Sequence, residues 1–90
     1  MLFEYDTAKS RANAAKHGID FEEVQGMWDG VVVAAPARFV GEDRLMAIGQ
    51  IHGKFWTAIV TLRGSTLRII SARRSRTNEI KIYQDHRSQS

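Results

Sequence analysis

The sequence has no cysteine among its 90 residues, a single proline and no long apolar run. The lack of cysteine excludes disulfides and thiolate zinc sites, so a hydrophobic core must hold the fold together. No apolar stretch approaches the roughly 20 residues of a membrane helix, and no basic-then-apolar export signal stands at the N-terminus. We therefore expect a cytoplasmic protein with a single domain at residues 1–86 and a short tail at 87–90.

Positive charge is concentrated in the second half of the chain. Residues 1–43 contain four Lys/Arg and eight Asp/Glu, a net −4, whereas residues 44–90 contain nine and two, a net +7. A basic half on an otherwise acidic domain is the electrostatic footprint of a polyanion binder, although small domains are also lopsided by chance. Charge alone leaves both readings open.

A short strand and a helix are predicted at the N-terminus. Phe3–Tyr5 alternates two aromatic residues around an acid, which is typical of a strand. Asp6 can cap a helix over Thr7–His17, and Gly18 can end it in the left-handed conformation. The apolar stripe of this helix, which we expect to pack on a sheet, consists of small residues: Ala8, Ala12 and Ala15.

A second helix is predicted directly afterwards. Asp20 and Glu23 have the spacing of a capping box, in which each side chain accepts from the other residue's backbone N–H. Its apolar face continues to Trp28, and Gly30 closes it. Two short helices joined by a glycine turn should therefore follow the first strand.

The rest of the chain predicts four strands and one helix. The strands are Val31–Ala35, Leu45–Ile51, Phe55–Leu62 and Thr66–Ala72, and the helix is Thr77–His86. Pro36 should stop the first of these strands, and a loop of mixed polarity follows at 38–43. Short glycine-containing links predict an antiparallel meander for the last three strands. We expect an α+β fold with a mainly antiparallel sheet, two N-terminal helices and one C-terminal helix, the helices covering one face.

Arginines cluster at the end of the last predicted strand. Five occur within 14 residues: Arg63, Arg68, Arg73, Arg74 and Arg76. A guanidinium can bind phosphate with several donors at once, so the cluster predicts a nucleic-acid-binding surface. Strand alternation puts Arg68 on the side of Ala72, and Arg73 on the side of Ile69. Arg73 and Arg74 should thus diverge unless the strand bulges or ends there, one towards a ligand and the other towards a carboxylate or solvent.

A few titratable groups are candidates for proton transfer. His17 ends the first helix, where it either passes protons or only caps the helix. Glu79 falls in the first turn of the last helix with Tyr83 one turn later, and the pair either positions a base or a proton donor or packs over the sheet. Trp28 and Trp56 can stack on bases, but their apolar surroundings favour the core.

Metal and nucleophile sites find little support in the sequence. Its histidines, His17, His52 and His86, are isolated, without ligand-spaced carboxylates around them. Neither a glycine-rich phosphate loop nor a GxSxG elbow occurs. We therefore expect no metal and no cofactor.

Two blocks of the sequence resemble the BrnT family. The first is Phe3-Glu4-Tyr5-Asp6, with Lys9, Asn13, Lys16-His17-Gly18-Ile19 and Phe21-Glu22-Glu23. The second is Arg68-Ile69-Ile70-Ser71-Ala72-Arg73-Arg74, with Glu79 and Tyr83. The resemblance implies a toxin of a type II toxin–antitoxin module with a RelE-like fold. It further implies a ribonuclease that stops translation, and a BrnA-like antitoxin with a ribbon-helix-helix DNA-binding region.

The resemblance and the arginine pattern together name the candidate site residues. The catalytic candidates are Arg73, Arg74, Glu79 and His17. The RNA-binding candidates are Lys16, Arg63, Arg68, Arg76 and Tyr83. The expected reaction is metal-independent cleavage through the 2′-hydroxyl, with RNA free or on the ribosome. The alternatives are a non-catalytic nucleic-acid-binding module and a protein whose basic face serves only an acidic antitoxin segment.

Overall fold

Five strands and three helices form within residues 1–37 and 43–88, the part of the chain that the computed structural model describes. In chain order they are β1 (Leu2–Glu4), α1 (Thr7–His17), a 3₁₀ helix (Glu23–Asp29), β2 (Val33–Ala37), β3 (Arg44–Ile51), β4 (Lys54–Arg63), β5 (Thr66–Arg74) and α2 (Thr77–Ser88). The predicted loop lies outside the described residues except for Asp43, and the predicted tail does so from position 89. The domain limits stay a prediction. No helix of the described residues is long and apolar enough to cross a membrane.

The sheet has the strand order β1-β5-β4-β3-β2. Strands β3, β4 and β5 form the predicted antiparallel meander, and β2 adds to it antiparallel. Strand β1, however, pairs parallel with β5, Leu2 opposite Thr66. The prediction of a mainly antiparallel sheet is therefore wrong, because the sheet is mixed. A parallel partner so distant along the chain leaves no turn signal in the sequence.

Helices cover both faces of the sheet, so the prediction of a single covered face is also wrong. Ala47 and Ile48 are consecutive in β3 but belong to different buried clusters. Ala47 packs with Phe21 and the 3₁₀ helix, whereas Ile48 packs with Tyr83 of α2. Successive side chains of a strand point to opposite faces, so α2 lies opposite the N-terminal helices. An amphipathic pattern identifies the apolar side of α2 but not the sheet face that receives it.

The predicted caps of α1 are confirmed and the hydrogen bonds of the predicted capping box form, but the second helix begins at Glu23 with Glu22, and not Asp20, as its N-cap. The backbone N–H of Lys9 donates to Asp6 at 3.0 Å, and Gly18 ends α1 at φ 77°. In the capping box, the N–H of Glu23 donates to Asp20 at 2.7 Å, and the N–H of Asp20 donates back to Glu23 at 3.3 Å. The helix that follows is a 3₁₀ helix of seven residues. Gly26 at its centre disfavours a regular α-helix.

Helix α1 packs on the sheet with polar residues, contrary to the predicted alanine stripe. Ala8, Ala12 and Ala15 are exposed, whereas Ser10 and Asn13 are buried. Ser10 Oγ accepts from the backbone N–H of Phe21 at 2.9 Å. Asn13 donates to the carbonyls of Ile19 and Ala72, both at 2.8 Å, and accepts from the Ala72 N–H at 3.1 Å. These hydrogen bonds replace an apolar contact, and they fix α1 beside the end of β5.

Pro36 does not stop β2, which continues to Ala37. Strand β2 lies at the edge of the sheet. Proline is tolerated on an edge strand because its missing N–H can face solvent instead of a partner. The predicted stop is therefore wrong, and the edge position explains why.

Candidate nucleic-acid interface

A β-bulge in β5 decides where the arginines point. Val60 pairs with Ile69 and Ile59 pairs with Ser71, so Ile70 is an extra residue without a partner of its own. An extra residue inverts the alternation of side chains beyond it. The two parts of β5 on either side of Ile70 therefore follow opposite alternations.

The bulge reverses the predicted facing of the strand. Ile69 and Ala72 both lie in the cluster under the N-terminal helices. Arg73 consequently shares the α2 face, not the face of Ile69, and Ala72 does not share the face of Arg68. The predicted divergence of Arg73 and Arg74 is nevertheless present, because both lie beyond the bulge.

Arg73 is bound to a buried carboxylate on the α2 face. Its Nη1 and Nη2 donate to Glu79 Oε1 and Oε2, each at 2.8 Å. Glu79 is only 2% exposed and also accepts from Thr57 Oγ1 at 3.0 Å and from the backbone N–H of Arg76 at 2.8 Å. A bidentate pair of this kind fixes both side chains.

The pKa of Glu79 follows from these contacts. Burial by itself raises the pKa of the carboxyl, but the hydrogen bonds from Arg73, the Arg76 N–H and Thr57 outweigh it and lower the pKa to about 2. The same pair raises the pKa of Arg73. A carboxylate that is so hard to protonate, with its oxygens occupied, is a weak proton acceptor. Glu79 therefore has the properties of a fixed counter-ion for Arg73.

Arg74 faces the opposite side of the sheet and is exposed. Its guanidinium carbon lies 5.4 Å from the ring centroid of Trp56, its cross-strand neighbour in β4. Its Nε donates to the Phe55 carbonyl at 3.3 Å. Within the described residues no carboxylate lies at ion-pair distance from Arg74. The side chain is thus held in place by an aromatic ring and keeps most of its donors for a ligand.

The end of α1 lies at the same end of the sheet. Asn13 holds the helix to Ala72, two residues before Arg74. His17 follows Asn13 by one helical turn on the same face, is partly buried, and stands next to the exposed Lys16. Lys16 and His17 therefore lie in the helical turn after the residue that binds the end of β5.

A groove of about 560 Å³ opens between these elements. Gly18 and the 3₁₀ helix form one wall, and the β3–β4 hairpin forms the other, with His52, Lys54 and Trp56. The hairpin turn His52-Gly53 has positive φ at both residues, 51° and 78°, as a two-residue type I′ turn requires. The turn places two exposed polar residues, His52 and Lys54, at the mouth of the groove.

The remaining RNA-binding candidates lie elsewhere. Arg63 and Arg68 approach Glu4 at 3.7 and 3.8 Å, at the other end of β5. Arg76 is exposed and lines a second groove of about 510 Å³ on the α2 face together with Arg73. Tyr83 is 4% exposed and packs edge-on against Phe55 at 5.3 Å. Tyr83 is therefore a core residue that has no ring face available for RNA.

Sequence reasoning missed Lys54 and Thr57 as parts of these sites, and it favoured the core over base stacking for Trp56. Trp56 lies in an apolar run that reads as core, and it does contact the main cluster. The cross-strand pairing with Arg74 makes Trp56 a candidate for binding as well. Thr57 is fully buried and resembles any β-branched strand residue, so nothing in the sequence indicates its bond to Glu79.

No group of three or more His, Cys, Asp or Glu residues in the described parts of the chain could hold a metal ion. The polar chemistry available at the groove consists of guanidinium, ammonium, imidazole, amide and carboxylate groups on separate elements.

Comparison with known families assigns the chain. A family described as the ribonuclease toxin, BrnT, of type II toxin–antitoxin systems matches residues 5–79. The chain belongs to this family. The resemblance carried by the two sequence blocks is thus confirmed, and with it the assignment as a ribonuclease toxin with RNA as substrate and an antitoxin as partner. No curated protein matches the chain.

Proposed function

We propose that this BrnT-family chain is a metal-independent endoribonuclease that cleaves RNA through the substrate's own 2′-hydroxyl. The observation that carries the proposal is the exposed guanidinium of Arg74, which lies 5.4 Å from the ring centroid of Trp56, a residue that lines the groove. A guanidinium can stabilise the negative charge that develops on a phosphate during cleavage, so it can take the part that a metal ion plays in metal-dependent nucleases.

The reaction consists of one displacement at phosphorus. A base removes the proton of the 2′-hydroxyl, the 2′-oxygen forms a bond to phosphorus, and the bond from phosphorus to the 5′-oxygen breaks. The leaving 5′-oxygen takes up a proton. The products are a 2′,3′-cyclic phosphate and a free 5′-hydroxyl. General base catalysis contributes a factor on the order of 10² to 10⁴.

We assign the base to His17 and the charge-stabilising role to Arg74. Support for His17 comes from the α1–β5 contact, in which Asn13, one helical turn before His17, binds Ala72, two residues before Arg74. Lys16, exposed beside it, would contact a neighbouring phosphate. Glu79, with a pKa of about 2 and its oxygens hydrogen-bonded, instead holds Arg73 in place.

In the cell, RNA cleavage by this chain would stop translation. As a type II toxin it is neutralised by a protein antitoxin. We propose that this antitoxin is BrnA-like, with a DNA-binding region through which the pair represses its own promoter. The cytoplasm is the compartment that such a toxin requires, since its RNA substrate is there.

A defined RNA substrate tests the mechanism. The purified chain is incubated with a short RNA, with the same RNA carrying one 2′-deoxyribose at the cut site, and with EDTA present. We expect cleavage that EDTA leaves unchanged, no cleavage at the deoxy position, and products with cyclic phosphate ends. Loss of activity in EDTA, or cleavage at the deoxy site, would contradict the proposal.

The role of His17 is tested with a matched histidine variant. His17→Gln should lower the cleavage rate on the order of 10²-fold or more, whereas His86→Gln, at an exposed position near the end of α2, should not change it. Salt-dependent binding without any products would instead indicate a non-catalytic nucleic-acid-binding module. A protein that binds no RNA at physiological salt would serve only its antitoxin.

A further inference from the structure

The 3₁₀ helix aligns three residues along the groove. With three residues per turn, positions three apart lie directly above one another, whereas in an α-helix they would diverge around the axis. Glu23, Gly26 and Asp29 have this spacing, and all of them line the groove. The result is a row of two carboxylates separated by a position without a side chain.

Gly26 makes the row a recess. A Cβ built at Gly26 meets no atom within 4 Å, so the space above it is open. No turn or left-handed conformation requires glycine here, because its φ is not positive. The absence of a side chain thus widens the groove between Glu23 and Asp29 without any need from the backbone.

The facing wall is suited to a flat aromatic ligand. Trp56 lines the groove and carries the guanidinium of Arg74 on its ring. Bases that are not in a duplex are recognised by stacking on aromatic rings or guanidinium planes and by hydrogen bonds to their edges. The groove volume of about 560 Å³ falls within the usual range of small-ligand sites, roughly 300 to 1,000 Å³.

The carboxylates determine which base edge fits. Among the described residues Asp29 has no hydrogen-bond or ion-pair partner, and Glu23 uses one oxygen for the capping box. A carboxylate only accepts hydrogen bonds. Guanine presents two adjacent donors, N1–H and N2–H₂, which match the two oxygens of one carboxylate. The Watson–Crick edges of adenine, cytosine and uracil each place acceptors beside a donor.

We propose that this groove is a guanine-binding subsite that selects the base next to the phosphate held by Arg74. The proposal deepens the proposed function and rests on it for the position of the phosphate. Asp29 is the main specificity residue, with Glu23 beside it, and Trp56 supplies the stacking surface. Lys54 at the mouth can contact the adjoining backbone.

Binding of trinucleotides that cannot be cleaved tests the subsite. In a Trp28→Phe background Trp56 is the sole tryptophan, so its fluorescence reports a base in the groove. The probes are 2′-O-methyl UGU, UAU, UCU and UUU. We expect UGU to bind roughly 5- to 150-fold more tightly than the other three, the usual range for one bidentate base contact.

Variants of the row separate the subsite from a general RNA surface. Asp29→Asn should abolish the preference for UGU, and Gly26→Leu should block all four probes while leaving the thermal unfolding temperature near that of the parent. Glu22→Gln, an exposed neighbour that does not line the groove, should change neither. Equal binding of the four probes, no binding at all, or an unchanged preference in Asp29→Asn would overturn the proposal.

The assay also distinguishes the two proposals, because it needs no catalysis. Cleavage of RNA without preferential UGU binding would leave the proposed function intact and refute the subsite. Preferential UGU binding by a chain that cleaves no RNA would support the guanine preference of the groove and refute the proposed function.

Discussion

Arg73 and Arg74 are consecutive residues of one strand, yet they lie in opposite environments. Arg73 donates from Nη1 and Nη2 to the carboxylate of Glu79, a residue that is 2% exposed, on the α2 face. Arg74 is exposed and rests on Trp56, on the face of the N-terminal helices. The same type of residue thus stabilises the fold on one face, as Arg73, and is available to a ligand on the other, as Arg74. What decides between the two roles is the partner that each face supplies.

The two environments differ in energy as well as in geometry. Breaking a buried pair by removing one partner is strongly destabilising, because an uncompensated charge remains inside. An exposed cation on an aromatic ring contributes only about 0.5 to 1 kcal/mol. Substitutions on the α2 face should therefore lower stability, whereas substitutions at Arg74 should lower activity. The following predictions test this division.

Arg74→Ala should have the largest effect on activity. If its guanidinium stabilises the charge on the scissile phosphate, the single-turnover cleavage rate falls by roughly 10² to 10³-fold. The free energy of unfolding should change by less than about 1 kcal/mol. Arg74→Lys keeps the charge but loses the paired N–H donors of the guanidinium and its contact with Trp56. Its cleavage rate should therefore lie between those of the wild type and Arg74→Ala. Full activity of Arg74→Ala would remove the distinction between the arginines.

Glu79→Gln should mainly change stability and its pH dependence. The folded-state pKa of about 2 lies below the ordinary value of 4.5, so the ionised Glu79 stabilises the fold above pH 4.5, and this contribution is lost as the pH falls towards 2. The difference corresponds to about 3 kcal/mol. Urea unfolding at pH 7 should therefore show Glu79→Gln to be less stable by about this amount.

The pH dependence of the free energy of unfolding in acid gives the matching control. Between pH 4.5 and 2 the wild-type chain should lose this contribution, whereas the variant should have a flatter profile over the same window. Equal slopes in the two proteins would show that the pair with Arg73 does not lower the pKa of Glu79.

Arg63→Ala should have the smallest effect. Arg63 is 64% exposed and only 3.7 Å from Glu4, so the pair is worth roughly 0 to 1 kcal/mol. We expect unchanged cleavage and an unchanged salt dependence of RNA binding. A decrease of about 0.7 in the log–log salt slope would indicate that Arg63 neutralises a phosphate, and would extend the interface to the far end of β5.

Local signals in the sequence predicted much of the fold. Asp6 and Gly18 cap α1 as predicted, and Asp20 and Glu23 exchange the predicted hydrogen bonds, since each contact depends only on residues within a few positions. The meander follows from short turns for the same reason. The parallel pairing of β1 with β5 and the choice of face for α2 depend on contacts between distant residues, which periodicity does not report.

The candidate site was predictable in its residue types but not in its arrangement. The sequence indicated that Arg73 and Arg74 diverge, and that one of them would meet a carboxylate or stay in solvent. It gave no sign of the bulge at Ile70, which reverses the faces, because the extra residue is another isoleucine in an apolar run. It also hid the polar packing face of α1, since Asn13 reads as an ordinary exposed helix residue.

NMR of the arginine side chains tests the division between the two residues most directly. The Nε–Hε signals of Arg73 and Arg74 are assigned by single Arg→Lys variants and followed while a 2′-O-methyl RNA oligonucleotide is added. We predict that the Arg74 signal shifts in proportion to binding while the Arg73 signal, held by Glu79, stays in place. A shift of Arg73 with Arg74 unchanged would contradict the account and move the RNA site to the α2 face.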